Sequence, residues 1–179
     1  MLPRETIAAF DVFLHERGLG LEAVVVGGAA LALIGVTDRQ TRDVDVLHPD
    51  LPAAVADAAR AFAARQRALG HFLADDWLNN GPSQLKEILP AGWLARSQAA
   101  FSGAALTLLV LGRGDLLKSK LFSLCDRGTD LDDCLALTPS GAEIDEAEPW
   151  VASQDAHPHW PEHVRRTLGD LRKRVRHGV

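Results

Sequence analysis

Residues 24–47, VVVGGAALALIGVTDRQTRDVDVL, constrain the fold of this chain more than any other stretch. Val24-Val25-Val26 is a short β-branched run, typical of a buried strand. Gly27-Gly28 ends this run, and an apolar stretch of good helix formers follows it. A second strand is predicted from Arg42 to Leu47. The alternation of strand, glycine turn, helix and strand therefore predicts an α/β fold, with a short mixed sheet flanked by helices.

Two aspartates lie two residues apart near the end of this stretch. Side chains alternate along a strand, so one face would carry four polar residues if the strand begins that early: Arg39, Thr41, Asp43 and Asp45. Two carboxylates on one face repel each other unless a cation lies between them. Oxygen ligands on an open face suit Mg²⁺ that also binds phosphates. The glycine pair would let the backbone approach an anion at the start of the following helix.

Gly27-Gly28, a short helix and Asp43-Val44-Asp45 together resemble the signature of the nucleotidyltransferase superfamily, which has the DNA polymerase β-like fold. The fuller pattern, Gly-Gly-x-Ala-Leu followed by Arg39-x-Thr41-x-Asp43-x-Asp45, is similar to a minimal bacterial branch that includes the AbiEii and MenT toxins. The resemblance implies that a nucleoside triphosphate binds at the glycine turn, with Arg39 and Thr41 beside it. It also implies that Asp43 and Asp45 bind Mg²⁺ or Mn²⁺.

The resemblance further implies that residues from later helices complete the site, because the predicted β segment from Phe101 to Leu111 carries no Asp or Glu. Lys120 lies among leucines on one helical face, where burial is costly unless the ammonium pairs or lies against a phosphate. Lys120→Met is expected to lower transfer while changing stability little. Asp130 is placed in the site, with Asp133 on the same helical face as its alternative. Asp130 can also be interpreted as a helix N-cap.

Trp77 stands in an unusual loop, Asp75-Asp76-Trp77-Leu78-Asn79-Asn80-Gly81. Two interpretations remain open. The resemblance implies a Trp-Leu-Asn loop that lines the cleft. Alternatively, Trp77 caps the core while the asparagines form turns.

A chain of 179 residues suits one domain with a helical appendage. We predict a nucleotidyltransferase-like domain over residues 1–137 and a C-terminal helical extension over residues 138–179. Thr138 is expected to cap the first helix of this extension, with Pro139 at its first position. The last helix, predicted from Glu162 to His177, carries six basic residues: Arg165, Arg166, Arg172, Lys173, Arg174 and Arg176. They suit tRNA, an acidic partner or the chain's own acidic segment.

The bulk composition restricts location and partners. A formal net charge of −5 indicates that the molecule as a whole does not coat nucleic acid. No apolar run approaches the ~20 residues that span a bilayer, so no membrane partner is expected. The first ten residues lack the apolar core of a signal peptide. Cys125 and Cys134 are expected to be free buried thiols, and the protein is expected to be cytoplasmic.

The leading functional hypothesis is metal-dependent transfer of a nucleoside monophosphate from an NTP to a hydroxyl of tRNA or of a protein. The protein would then be the toxin of a toxin–antitoxin pair, with an antitoxin as partner. Lys120 would offset charge on the triphosphate. The alternative is a binding module with the same fold that no longer catalyses, favoured because Gly28 and Ala29 offer no hydroxyl to a phosphate. A third hypothesis is an interaction protein that binds through its basic last helix.

Overall fold

The computed structural model describes residues 3–38, 41–82 and 84–177. Internal contacts divide the chain into two compact units, one of residues 1–87 and 91–111 and one of residues 88–90 and 112–179. The first unit holds a mixed five-stranded sheet with helices, and the second is helical. The expected α/β class with a C-terminal helical part is therefore confirmed. The domain boundary after Leu137 stays a prediction.

The sheet of the first unit has the strand order β3-β2-β1-β5-β4. Its strands are β1 (Leu21–Val26), β2 (Val44–His48), β3 (Leu78–Asn79), β4 (Gln98–Ser102) and β5 (Leu106–Val110). Strand β1 lies at the centre, antiparallel to β2 and parallel to β5. Strand β3 is parallel to β2, and β4 is antiparallel to β5. Five of the six β1 residues are buried, as is usual for a central strand that is covered on both faces.

The helices that alternate with these strands are α1 (Pro3–His15), α2 (Gly27–Leu33), α3 (Ala53–Ala68), α4 (Leu85–Ile88) and α5 (Trp93–Arg96). Aromatic rings join α1 and α3 to the core, since the Phe10 ring lies 5.3 Å from Phe62 and 5.0 Å from Trp77. Trp77 is 2% exposed, and its Nε1 donates a hydrogen bond to the carbonyl of Ala59. Trp77 is thus a core residue, as the second interpretation of its loop expected.

The second strand begins two residues later than predicted. Arg42 and Asp43 precede β2, which starts at Val44. The Thr41 hydroxyl donates to the backbone carbonyl of Asp43 at 3.0 Å. Such local bonds compete with the ladder of a sheet, which accounts for the delayed start.

The predicted β segment from Phe101 to Leu111 is instead the end of a hairpin, because the chain reverses between β4 and β5. The buried carboxylate of Asp11 in α1 fixes this reversal, accepting hydrogen bonds from three successive backbone N–H groups, those of Ala104, Ala105 and Leu106, at 3.1, 2.8 and 2.7 Å. Gly103 makes room for it, since a Cβ there would collide with the carboxylate. Burial raises the pKa of Asp11, but the three N–H bonds outweigh it and leave that pKa below its usual range.

The second unit contains α6 (Arg113–Arg127), α7 (Leu131–Ala136), α8 (Gly141–Ala152) and α9 (Trp160–His177). Its interior is formed by apolar side chains of these helices, among them Leu121, Ile144, Val164 and Leu168. Among the described residues, no helix combines the length and the apolar character that crossing a bilayer requires.

The predicted N-cap of the first helix after Leu137 is wrong by two residues. Thr138 does not cap a helix, because its backbone N–H bonds to Leu135 and so closes the end of α7. Ser140 caps α8 instead, since its hydroxyl accepts the N–H of Glu143 while the Glu143 carboxylate accepts the N–H of Ser140. This reciprocal capping box satisfies two backbone donors, which a cap at Thr138 would not do.

Candidate functional site

The glycine turn and Asp45 lie in direct contact. Strand β1 ends at Val26, which pairs with Asp45 across the antiparallel ladder. Gly27 follows with φ +73, and a Cβ built on it would lie 2.6 Å from Asp45 Oδ2. A side chain at this position would be strained by the backbone and would displace the carboxylate. The structure thus brings together the two features that the sequence singled out.

Asp45 has a second glycine beside it, which sequence reasoning did not connect with the acid. Asn79 pairs with Asp45 between β3 and β2, and its Oδ1 accepts the N–H of Gly81 at 2.6 Å. A Cβ on Gly81 would lie 4.0 Å from Asp45 Oδ1. Next to it, Asn80 Nδ2 donates to the carbonyls of Val46 and Pro49. The Asn79-Asn80-Gly81 motif in the sequence indicates a turn at this position. Only the pairing of β3 with β2 shows that this turn lies beside Asp45.

Asp43 is exposed and lies outside the strand, where its carboxylate accepts a hydrogen bond from the Thr41 hydroxyl at 3.2 Å. It lines a cleft of about 460 Å³. The wall of this cleft comes from Thr6 of α1, residues 41–44, the loop of residues 70–73 after α3, and Trp77. Sequence reasoning considered His71 of this loop as a possible ligand near the cleft but missed Phe72, because the loop's separation from Asp43 along the chain hides the contact.

Three further residues are candidates for binding the nucleotide: Gly28, Thr41 and Arg39. Gly28 is half-buried in the first turn of α2, and Thr41 is half-buried beside Asp43. Arg39 lies outside the described residues, so its predicted role stays a prediction. Within the described ranges, His, Cys, Asp and Glu side chains form no group of three or more suited to a metal ion.

Lys120 lies in the second unit, 6% exposed among the leucines of α6. Its Nζ lies 2.6 Å from Asp133 Oδ2 and 3.6 Å from Asp130 Oδ2. The Asp133 carboxylate is buried, so the pair compensates the desolvation of both charges. Asp130 occupies the residue before α7 with φ +66, but its side chain makes no capping hydrogen bond. The roles of Lys120 and Asp130 at a phosphate stay predictions.

Both thiols of the second unit are poor nucleophiles. Cys125 and Cys134 are free and buried, as expected from the sequence. Burial raises the pKa of each thiol to about 12, so at neutral pH they are protonated. Burial and this raised pKa make neither thiol a candidate nucleophile.

The basic helix α9 is partly neutralised by the chain itself. Arg172 lies 2.6 Å from both Asp145 and Glu148 of α8, which agrees with the interpretation that the chain's own acidic segment binds the tail. Val164, Leu168 and Leu171 are buried and dock the helix. Five further basic side chains of the helix are exposed, and Lys173 among them pairs with Asp170: Arg165, Arg166, Lys173, Arg174 and Arg176.

Comparison with known families identifies the chain. A family model described as a nucleotidyltransferase of unknown function (DUF6036) matches residues 6–138. No curated protein and no solved structure matches the chain. The matched range contains the glycine turn, both aspartates of the β2 region and Lys120, while the grouping with the AbiEii and MenT toxins stays a prediction. Because the match covers most of the chain, the protein belongs to this family of nucleotidyltransferases.

Proposed function

We propose that this protein transfers a nucleoside monophosphate from an NTP to a hydroxyl group of an RNA or a protein, with Mg²⁺ or Mn²⁺ as cofactor. The observation that carries the proposal is the contact between Gly27 and the Asp45 carboxylate. A Cβ on Gly27 would lie 2.6 Å from Asp45 Oδ2. It places the glycine turn, where a phosphate is expected, next to an acid suited to a cation. Membership of the nucleotidyltransferase family supports the general reaction.

The donor set suits a divalent metal. Asp43 is exposed at the cleft, and Asp45 is half-buried beside two glycines that leave space around its oxygens. Carboxylate oxygens are the ligands that Mg²⁺ prefers, and the ion usually completes its shell with water and substrate phosphates. When bound, such an ion stabilises negative charge on the phosphates as a Lewis acid.

The residues of the chain would position the reactants. Gly27, which has no side chain of its own, would let the triphosphate approach the backbone. The Thr41 hydroxyl, bonded to Asp43 Oδ1, would hold that carboxylate in one orientation. In the transfer, the acceptor oxygen forms a bond to the α-phosphorus and the bond to the pyrophosphate breaks. The hydroxyl proton passes to water.

The double variant Asp43→Asn, Asp45→Asn tests the proposal. We expect Mg²⁺–NTP affinity, measured by isothermal titration calorimetry, to fall at least tenfold. Transfer from labelled NTP to bulk RNA or protein should fall by orders of magnitude, because stabilisation of the charge that develops in the transition state usually contributes most to catalysis. The matched control Asp50→Asn, Asp57→Asn removes two exposed acids of the same unit and should change neither. Unchanged NTP affinity in the Asp43, Asp45 variant would refute the site.

The alternative function is a binding module with this fold that has lost catalysis. It is favoured by the hairpin of β4 and β5, which supplies no carboxylate, and by the missing hydroxyl at Gly28 and Ala29. The same titration and transfer assays separate the two functions. NTP binding that depends on Asp45, without label transfer to any acceptor tested, would favour the module.

The proposed biological role is that of a toxin that an antitoxin neutralises. If it is correct, controlled expression of the chain should arrest growth of a bacterial host, while the Asp45→Asn variant expressed to the same level should not. Equal growth with the parent and the variant would remove this role and leave the transfer reaction open to other acceptors.

A further inference from the structure

The loop that follows α3 places a solvent-exposed aromatic ring at the cleft beside Asp43. Phe72 is 88% exposed, more than any other large apolar side chain in the described part of the chain. It lines the same cleft as Asp43 and Arg42. An exposed ring of this size at a concave site is typical of a surface that binds a ligand rather than one that only contacts water.

The backbone conformation and the hydrogen bonds of the loop keep Phe72 exposed. Gly70 turns the chain with φ +84, and the His71 N–H bonds back to the carbonyl of Gln66 at 3.0 Å. Arg67 of α3 then holds the far side of the loop, donating to the Leu73 carbonyl at 2.6 Å and to Asp75 Oδ1 at 2.7 Å. Because both sides of Phe72 are tied to α3, the ring is held away from the core.

The other groups of the cleft give the expected ligand a definite chemistry. Arg42 is exposed on the same wall, and its guanidinium makes no hydrogen bond or ion pair with a described residue. Thr41 adds a hydroxyl, and His71 adds an exposed imidazole. A flat ring that stacks on Phe72 and a phosphate that pairs with Arg42 are the two parts of a nucleotide. A serine or threonine side chain offers neither, and a tyrosine side chain offers a ring without a phosphate.

The cleft adjoins the expected position of the triphosphate at Thr41 and Asp43 but does not include the glycine turn. Gly27 and Gly28 are not among the described residues of its wall, which meets the site at Asp43. A ligand in the cleft would therefore reach the carboxylate pair from the side of the 70–73 loop.

We propose that this cleft receives an unpaired nucleotide of a single-stranded RNA acceptor, whose base stacks on Phe72 and whose phosphate pairs with Arg42. The inference rests on the proposed function, since it names the acceptor of that reaction. The RNA hydroxyl oxygen bonds to the α-phosphorus of the NTP, the pyrophosphate leaves, and the hydroxyl proton passes to water. Single-stranded RNA suits the cleft better than a duplex does, because only an unpaired base offers a free face for stacking.

The test measures binding of a short, mixed-sequence, 5′-labelled single-stranded RNA by fluorescence anisotropy, without nucleotide. Phe72→Ala should weaken binding roughly tenfold or more, and Phe72→Trp should retain it, as expected for base stacking on an aromatic ring. Arg42→Gln should weaken binding and reduce the slope of log affinity against log salt by about 1. Leu94→Ala, which removes another exposed apolar side chain of the first unit outside the cleft wall, is the matched control and should bind as the parent does.

A parallel titration with Mg²⁺–NTP separates this inference from the proposed function. Phe72→Ala should bind NTP like the parent, because the ring serves the acceptor. RNA affinity that is absent, or that does not depend on Phe72, would overturn the inference alone. Parallel loss of NTP affinity in Phe72→Ala would also overturn it, since the ring would then serve the NTP base. Label transfer by the parent to protein and not to RNA would do the same. Failure of the parent to bind NTP would instead contradict the proposed function.

Discussion

Carboxylates in this protein occupy two contrasting settings. Asp11 and Asp133 are buried and engaged by donors of the chain itself, Asp11 by three backbone N–H groups and Asp133 by Lys120. Asp43 is exposed at a cleft, and Asp45 is half-buried against Gly27. Asp11 joins α1 to a turn more than 90 residues away, and Asp133 joins α7 to the preceding helix α6. The second pair instead lies at the start of β2.

The difference separates the carboxylates that the fold needs from those at the candidate site. A buried carboxylate without its donors costs several kcal/mol, so Asp11 and Asp133 cannot be changed without loss of stability. An exposed acid remains hydrated in the folded and unfolded protein, so its removal costs the fold little. Variants of the two groups should therefore separate stability from ligand binding.

The largest effect is expected for Lys120→Met. It leaves the buried Asp133 carboxylate without its 2.6 Å partner, so the free energy of unfolding should fall by about 3–5 kcal/mol. Because the structure places Lys120 in this buried ion pair, the expected loss of stability is larger than the small change predicted from the sequence. Urea unfolding followed by circular dichroism measures the difference. Lys118→Met on the same helix, where the lysine is only half-buried, is the matched control and should stay within about 0.5 kcal/mol of the parent. Equal stability of both variants would contradict the role of the pair.

Asp11→Asn should follow, with a loss of about 2 kcal/mol, because three backbone donors lose a charged acceptor. The pKa of Asp11 is lowered in the fold, so its contribution is present above the unfolded value of 3.8 and is lost as the pH falls below it. Asp43→Asn, unfolded in urea under the same conditions, should change stability by less than about 0.5 kcal/mol. If both variants lost the same stability, the contrast between the two settings would fail.

Gly27→Ala should cost about 1–2 kcal/mol, because an L-residue is strained at φ +73. Gly35→Ala is a close control, since Gly35 has φ +72 but nothing within 4 Å of its Cβ position. Both variants should lose stability in thermal unfolding through the backbone. Only Gly27→Ala should weaken Mg²⁺–NTP binding, because only its methyl group displaces Asp45. Equal NTP affinity in the two variants would remove Gly27 from the site.

The smallest effect is expected for Glu143→Gln at the start of α8. Hydrogen bonds from the Arg113 guanidinium and the Ser140 N–H lower the pKa of Glu143 to about 2. Its contribution is therefore present above the unfolded value of 4.5 and is lost as the pH falls toward 2. The pair is partly exposed, so the loss at pH 7 should stay below about 1 kcal/mol. Urea unfolding at pH 7 and pH 3 should show parent and variant converging at the lower pH.

Much of the first unit was predictable from local patterns. Val24-Val25-Val26 lies in β1, and Gly27 begins α2 as the glycine signal indicated. The start of β2 was wrong because the Thr41 hydroxyl bonds locally to Asp43. The hairpin of β4 and β5 was missed because its turn is fixed by Asp11, more than 90 residues away along the chain. A prediction from a short stretch of sequence cannot include an acceptor that lies so far away along the chain.

By itself, the sequence determined the fold class and the candidate carboxylates, because β-branched runs, glycine pairs and helical periodicity act over a few residues. It also placed Lys120 on an apolar helical face. Only the tertiary structure decided that Asp133 is its closer partner, at 2.6 Å against 3.6 Å for Asp130. The same holds for the Phe72 loop, which the fold brings to Asp43 across a chain separation of nearly 30 residues. Local preferences select elements, but the pairing of strands and the packing of helices decide which distant side chains meet.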